Sequence, residues 1–110
     1  MRIPFGVAVV SGASMQPHLY AGDCVLIRQG SRARAGDVVL LHRPDRRELL
    51  VVKRVRNRLG DGRLWLEGDN PLASDDSRLF GPVGPEEIVG RVVWRYRPLR
   101  RRRAGMVEKD

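Results

Sequence analysis

Long hydrophobic runs are missing from this 110-residue chain. No window approaches the roughly 20 apolar residues that a membrane-spanning helix needs, and the first apolar stretch, residues 3–10, is broken by Pro4 and Gly6. The expectation is a chain that does not itself cross a membrane, with a peripheral membrane contact through residues 3–10 left open. Cysteine is nearly absent. Cys24 stands alone, which excludes an internal disulfide, and with no Cys or His at ligand spacing it reads as a small strand residue, not a thiolate or metal centre. Two Trp, two Tyr and two Phe are too few for a base-stacking platform. Acidic residues are outnumbered 13 to 21, giving a formal charge of +8. Part of that excess is a terminal run, Arg95, Arg97 and Arg100 to Arg103, which reads as a solvated end, so no specific nucleic-acid partner is expected.

What remains is the composition of one small folded domain, 42% hydrophobic and 31% charged. Apolar residues alternate in short stretches separated by turn residues, and no sustained helical stripe occurs. The predicted strands are 5–10, 24–28, 37–42, 49–56, 63–67 and 88–96, divided by turns such as Ala21-Gly22-Asp23, Ala35-Gly36-Asp37 and Gly60-Asp61-Gly62. Six strands in a chain of this length predict a mainly β domain, a compact half-closed barrel over residues 1–97 followed by a basic tail, 98–110, expected to be disordered. A helical turn or two is expected at 14–20, where Ser14 can cap and Pro17 fits a first turn. The polar loop 68–84, long for so small a domain and rich in Asp, Ser and Asn, reads as functional.

One stretch has the makings of a nucleophile. Ser14 follows Ser11-Gly12-Ala13, where small residues let backbone approach backbone and free N–H groups can face a substrate carbonyl. Lys53 follows Leu49-Leu50-Val51-Val52, and an ammonium desolvated among such residues has a lowered pKa and a usable neutral amine. A Ser/Lys pair is chemically coherent. A Ser-rich turn and a strand-end lysine are also ordinary surface features, and on composition alone that reading is the favoured one. His18 and His42 supply a Ser/His/Asp triad poorly: His18 is four residues from Ser14, and His42 closes a strand before Arg43-Pro44. Asp69, Asp75 and Asp76 do not follow calcium-loop spacing, so no metal is expected, and no cofactor motif is present.

Three segments in order carry a resemblance to the signal peptidase I family. Ser14-Met15-Gln16-Pro17-His18-Leu19 with Gly22-Asp23-Cys24-Val25-Leu26 resembles its nucleophile box and next strand. Lys53-Arg54-Val55 is similar to its lysine box, and Gly68-Asp69-Asn70 with Ser74, Asp76, Ser77, Arg78, Gly81, Pro82 and Val83 to its last box. The resemblance implies a Ser/Lys dyad, with Ser14 as nucleophile and Lys53 as general base. It further implies that Ser74 orients the lysine, that Asp76 and Arg78 support the loop, and that the Ser14 N–H is one oxyanion donor. Many members carry a serine two positions before the nucleophile. Here that position is Gly12, so the second donor is either backbone or a shifted Ser11.

By the same resemblance the substrate lies extended along Val9, Val10, Met15, Val51 and Val52, with small residues before the cleaved bond. The anchorless form, with its Gly68-Asp69-Asn70-Pro71 box, is similar to proteases that mature nickel-containing superoxide dismutase by removing an N-terminal leader. That similarity implies a precursor protein as partner and a bacterial, cytoplasmic location, with membrane association as the alternative. General secretory signal-peptide cleavage is the second reading. A LexA-like self-cleaving regulator is a third, opposed by the thirteen residues before Ser14, too few for a DNA-binding region and a cleavage segment.

Overall fold

The computed structural model describes residues 5–30 and 32–97; the basic tail, 98–110, lies outside them. Six strands form: β1 (Phe5–Val9), β2 (Cys24–Gln29), β3 (Val38–Arg43), β4 (Arg46–Arg58), β5 (Leu64–Glu67) and β6 (Ile88–Tyr96). They make one sheet in the order β1-β2-β6-β3-β4-β5, every neighbour antiparallel. The mainly β class expected from the sequence is what the chain adopts. β1 and β5 are the two edges.

Alternation decides which face each strand buries. Val25 and Ile27 in β2 point inward with Val10, Met15, Leu19 and Val38 to form one core cluster. Val39, Leu41, Val55, Leu64 and Leu66 anchor a second. On β4 the core-facing series runs Val51, Lys53, Val55, so Lys53 occupies a position where the period of two demands an aliphatic. β6 holds the halves together by pairing with β2 along most of its length and with β3 at its start.

One expectation needs correction. β4 begins at Arg46, three residues before the predicted start, because Pro44-Asp45 make a tight turn and Arg43 pairs directly with Arg46. Residues 46–48 are polar and exposed, so hydrophobic alternation could not reveal them, and the hairpin's register carries them into the strand. At 14–20 the lower bound of the expected turn or two forms: a Leu19 N–H to Met15 C=O bond of 2.9 Å closes one turn, and it goes no further because Pro17 lacks an N–H. The short helices fall in and just after the 68–84 loop: α1 (Ser77–Phe80) and 3₁₀ turns at Pro71–Ala73 and Pro85–Glu87.

The chain end of β6 is clamped to the turn that precedes β2. The buried Asp23 carboxylate accepts from Arg97 Nε at 2.8 Å and Nη2 at 3.0 Å and from the Tyr20 N–H at 2.9 Å, and Arg97 also lies over the Tyr20 ring. The Arg97 hydrogen bonds hold the Asp23 pKa below its usual range, against the opposing effect of burial. A carboxyl whose folded pKa is depressed stabilises the fold above its unfolded pKa, about 3.9, and loses that contribution as pH falls through the folded value. The destabilisation caused by Asp23→Asn is therefore expected to be greatest near neutral pH and to shrink towards pH 2. Denaturant midpoints of both proteins across that range measure it, and a difference that does not change with pH would contradict it.

Candidate active site

Residues 11–22 leave the sheet after Val10 and return at Asp23. Their base is closed by Val10 N–H to Asp23 C=O and Gly22 N–H to Val10 C=O, both 2.8 Å. Met15 and Leu19 sink into the β1–β2 core, 2% and 0% exposed, and hold the excursion down. Between closed base and buried anchors the backbone turns through Gly12, whose φ of +81° a β-carbon would disfavour, and presents Ser14.

Lys53 reaches the same region from β4 and is 4% exposed. Burial lowers its pKa; the charges of Asp76 and Asp75 pull the other way, and Arg43 and Arg78 add to the lowering. Its Nζ donates to Ser74 Oγ at 3.1 Å, and Ser74 Oγ donates to Asp76 Oδ2 at 2.8 Å. Because the Ser74 proton is committed to Asp76, Ser74 offers Lys53 a lone pair. One N–H of the amine is thereby fixed and the nitrogen's remaining directions are set.

Asp76 is fully buried. Burial works against its ionisation, but the Arg78 guanidinium, the Gly68 N–H, the Ser74 hydroxyl and the Arg78 N–H together outweigh it and hold the carboxyl far below the usual range. It also caps α1. Ser77 Oγ accepts from the Leu66 N–H at 2.9 Å and ties the loop to β5.

The sequence reading did not single out the contacts that seat this loop against its neighbours. Arg54 grips Asp69 through two bonds of 2.8 Å and donates to Gly36 C=O. Strand alternation sends Arg54 to the face opposite Lys53, so adjacent basic residues do different work. Asn70 donates its N–H to Ser14 C=O at 2.8 Å and its side-chain amide to Ala13 C=O at 3.1 Å. Gly68 passes so close that a β-carbon there would stand 2.6 Å from Ser14 O and 2.4 Å from Ser74 Oγ. The Gly-Asp-Asn tripeptide was the available signal, but what each residue touches is set by the tertiary fold.

Ser14 and Lys53 line one groove of about 320 Å³. Val9, Val10, Met15, Val51 and Val52, expected along the substrate path, all line it, as do Val7, Ala8 and Leu50 from the same two strands, and Leu40, which was not expected. Ser11 is at its wall; Gly12 shapes the turn without lining it. β1 is an edge strand, and β4 pairs with β5 only from Arg54 onward, so unpaired backbone borders the groove on both sides. A larger hollow of about 450 Å³, bordered by Arg32, Arg34 and Arg58, has among the described residues that line it no group able to act as nucleophile or base near neutral pH. His18 and His42 lie outside the groove, and the His42 ring bonds to Arg47 C=O. Among the described residues no three His, Cys, Asp or Glu side chains cluster to hold a metal.

Comparison with known proteins bears on this geometry. The family model described as Peptidase S24-like matches residues 5–93. The human mitochondrial inner membrane protease subunit 1 is 32% identical over 86% of this chain and 70% of its own length. Subunit 2 from Schizosaccharomyces pombe is 30% identical over 94% and 70%. The Arabidopsis thaliana mitochondrial ATP-independent inner membrane protease subunit 1a is 34% identical over 81% and 68%.

The density of donors around Asp76 generates a stability prediction. Asp76→Ala leaves the Gly68 N–H, the Ser74 hydroxyl and Arg78 without their shared acceptor, and a loss of about 3–5 kcal/mol is expected, as for other broken buried pairs. Chemical denaturation tests this; a loss under about 1 kcal/mol would mean the loop re-forms its bonds elsewhere.

Proposed function

The chain belongs to the peptidase S24-like/S26 signal peptidase family and is a serine peptidase, and from that premise we propose that it removes N-terminal leaders from precursor proteins with Ser14 as nucleophile and Lys53 as general base. The observation that carries the reading is the convergence of Ser14 with a buried, pKa-lowered lysine on one groove, the lysine held by Ser74 and Asp76.

A leader in extended form enters between the free edge of β1 and the unpaired part of β4, its backbone bonding to both strands. The neutral Lys53 amine takes the Ser14 hydroxyl proton as Oγ bonds to the scissile carbonyl carbon, whose π electrons move to oxygen. The Ser14 N–H, with Ser11 or a backbone group as second donor, stabilises that oxyanion. Collapse breaks the C–N bond, the Lys53 ammonium protonates the departing amine, and an acyl-enzyme remains. Lys53 then deprotonates water, which attacks the ester and releases Ser14. Valines and Met15 line the groove, and we expect small residues before the cleaved bond.

For the finer assignment, the 68–78 box points to the nickel superoxide dismutase precursor, processed in the bacterial cytoplasm. The relatives named above are protease subunits, not self-cleaving regulators, which favours a separate precursor over the chain's own backbone as substrate.

The test is cleavage of that precursor and of an Ala-x-Ala secretory leader by the purified protein. Ser14→Ala and Lys53→Arg, which keeps the charge but cannot give up a proton, are each expected to lower kcat/KM at least about 1,000-fold. Cleavage of the secretory leader alone would assign general signal-peptide processing; cleavage that persists in Ser14→Ala would refute the dyad.

The pH profile is a second check. Activity needs the neutral amine, so kcat/KM is expected to rise with pH, and since burial lowers the Lys53 pKa, the rising limb should lie below the ordinary lysine value of about 10.4. A limb at that ordinary value would rule out a desolvated lysine as base.

A further inference from the structure

Ala13 C=O accepts two hydrogen bonds, from Gln16 N–H at 3.2 Å and from Asn70 Nδ2 at 3.1 Å. Ser14 C=O accepts the Asn70 N–H at 2.8 Å. A group facing a carbonyl oxygen at 3.1 Å has to donate, so the Asn70 amide is oriented with its NH₂ towards Ala13. One residue of the 68–84 loop thus holds the carbonyls of two consecutive peptide planes, those on either side of the Ser14 α-carbon. The Ser14 N–H itself donates to no group among the described residues.

The Ala13–Ser14 peptide is trans, since among the described residues the one cis bond is Gln16–Pro17. In a trans peptide C=O and N–H point in opposite directions across a rigid plane. Fixing the Ala13 oxygen against Asn70 therefore fixes the Ser14 N–H, directing it away from the Asn70 amide and leaving it free for a ligand. Donation to the carbonyl end also polarises the amide and makes its N–H a better donor.

We propose that Asn70 is a positioning residue for the oxyanion-binding N–H of Ser14, holding that donor in place before substrate arrives. The role rests on the reading of Ser14 as nucleophile. It is distinct from the Lys53-Ser74-Asp76 chain, with which Asn70 shares no hydrogen bond. Two parts of one loop serve the two halves of the reaction: Ser74 orients the base, and Asn70 orients the donor that meets the developing charge. Preorganised donors of this kind act on the transition state more than on the bound substrate.

The experiment compares wild type, Ser14→Ala, Asn70→Ala and Asn70→Asp on a cleaved leader peptide. Asn70→Ala removes the amide and keeps the backbone bond to Ser14; Asn70→Asp keeps the shape but turns a carboxylate on the Ala13 carbonyl. Both are expected to lower kcat about 10- to 100-fold, less than outright loss of an oxyanion donor, with KM within about twofold and the pH limb unmoved. A leader peptide ending in an aldehyde adds an independent readout. Ser14 Oγ bonds to its carbonyl carbon, the hydroxyl proton passes to Lys53, and the new oxyanion sits where the substrate's would. Its affinity should fall by the same factor as kcat/KM, while a non-cleavable peptide binds unchanged.

Unchanged kcat in both folded variants would overturn the proposal, as would a pH limb that moves with kcat, which places the effect on Lys53. If Asn70→Ala does not fold, Asn70→Asp and its aldehyde affinity decide alone. Activity that survives Ser14→Ala would remove the underlying dyad and this inference with it, whereas normal Asn70 variants beside a dead Ser14→Ala remove the inference only.

Discussion

The site depends on one buried anion. A carboxylate withdrawn from water is tolerated only where donors replace its hydration shell, and Asp76 meets that demand with donors from Gly68, Ser74 and Arg78. Satisfying it folds the loop. The Gly68 N–H has to come in from the end of β5, the Ser74 hydroxyl has to turn inward, and α1 has to start at residue 77 so that its first N–H groups face the cap. Once the loop is drawn around Asp76, the Ser74 proton is committed and the hydroxyl can only accept, and Lys53 donates to it.

The same anion governs the lysine. Burial alone would push an ammonium towards neutrality, and the Asp76 charge restrains that shift. Desolvation has the upper hand, because the carboxylate is already neutralised by Arg78 at 2.5 Å and meets Lys53 through a serine hydroxyl, not by direct contact. A direct Lys–Asp pair would hold the amine protonated and useless as a base. The interposed serine transmits orientation while diluting charge.

The open groove beside Ser14 follows from sheet topology. β1 is an edge, and β4 outruns β5, so the molecule exposes unpaired backbone beside the groove. Exposed edges are aggregation hazards in most proteins. Here they flank the Ser14 turn, and the exposed Val7, Val9 and Leu50 side chains continue the same apolar border.

Strand positions were legible because one face of each strand is buried and the period of two is imprinted on Val, Ile and Leu; β6 was read to its residue limits. The polar start of β4 was not, since a hairpin register decides it. The sequence by itself determined a mainly β domain, a small-residue turn around Ser14, a lysine in an apolar strand and a loop dense in Asp, Ser and Arg. Those follow from local pattern and residue chemistry. Only the tertiary structure decided that Asn70 holds the peptides beside Ser14, that Arg54 and not Lys53 takes Asp69, and that Gly68 must lack a side chain. These contacts join residues far apart in the chain, 15 positions between Arg54 and Asp69 and 57 between Ala13 and Asn70, and no local pattern encodes a distance that the packing of separate strands creates.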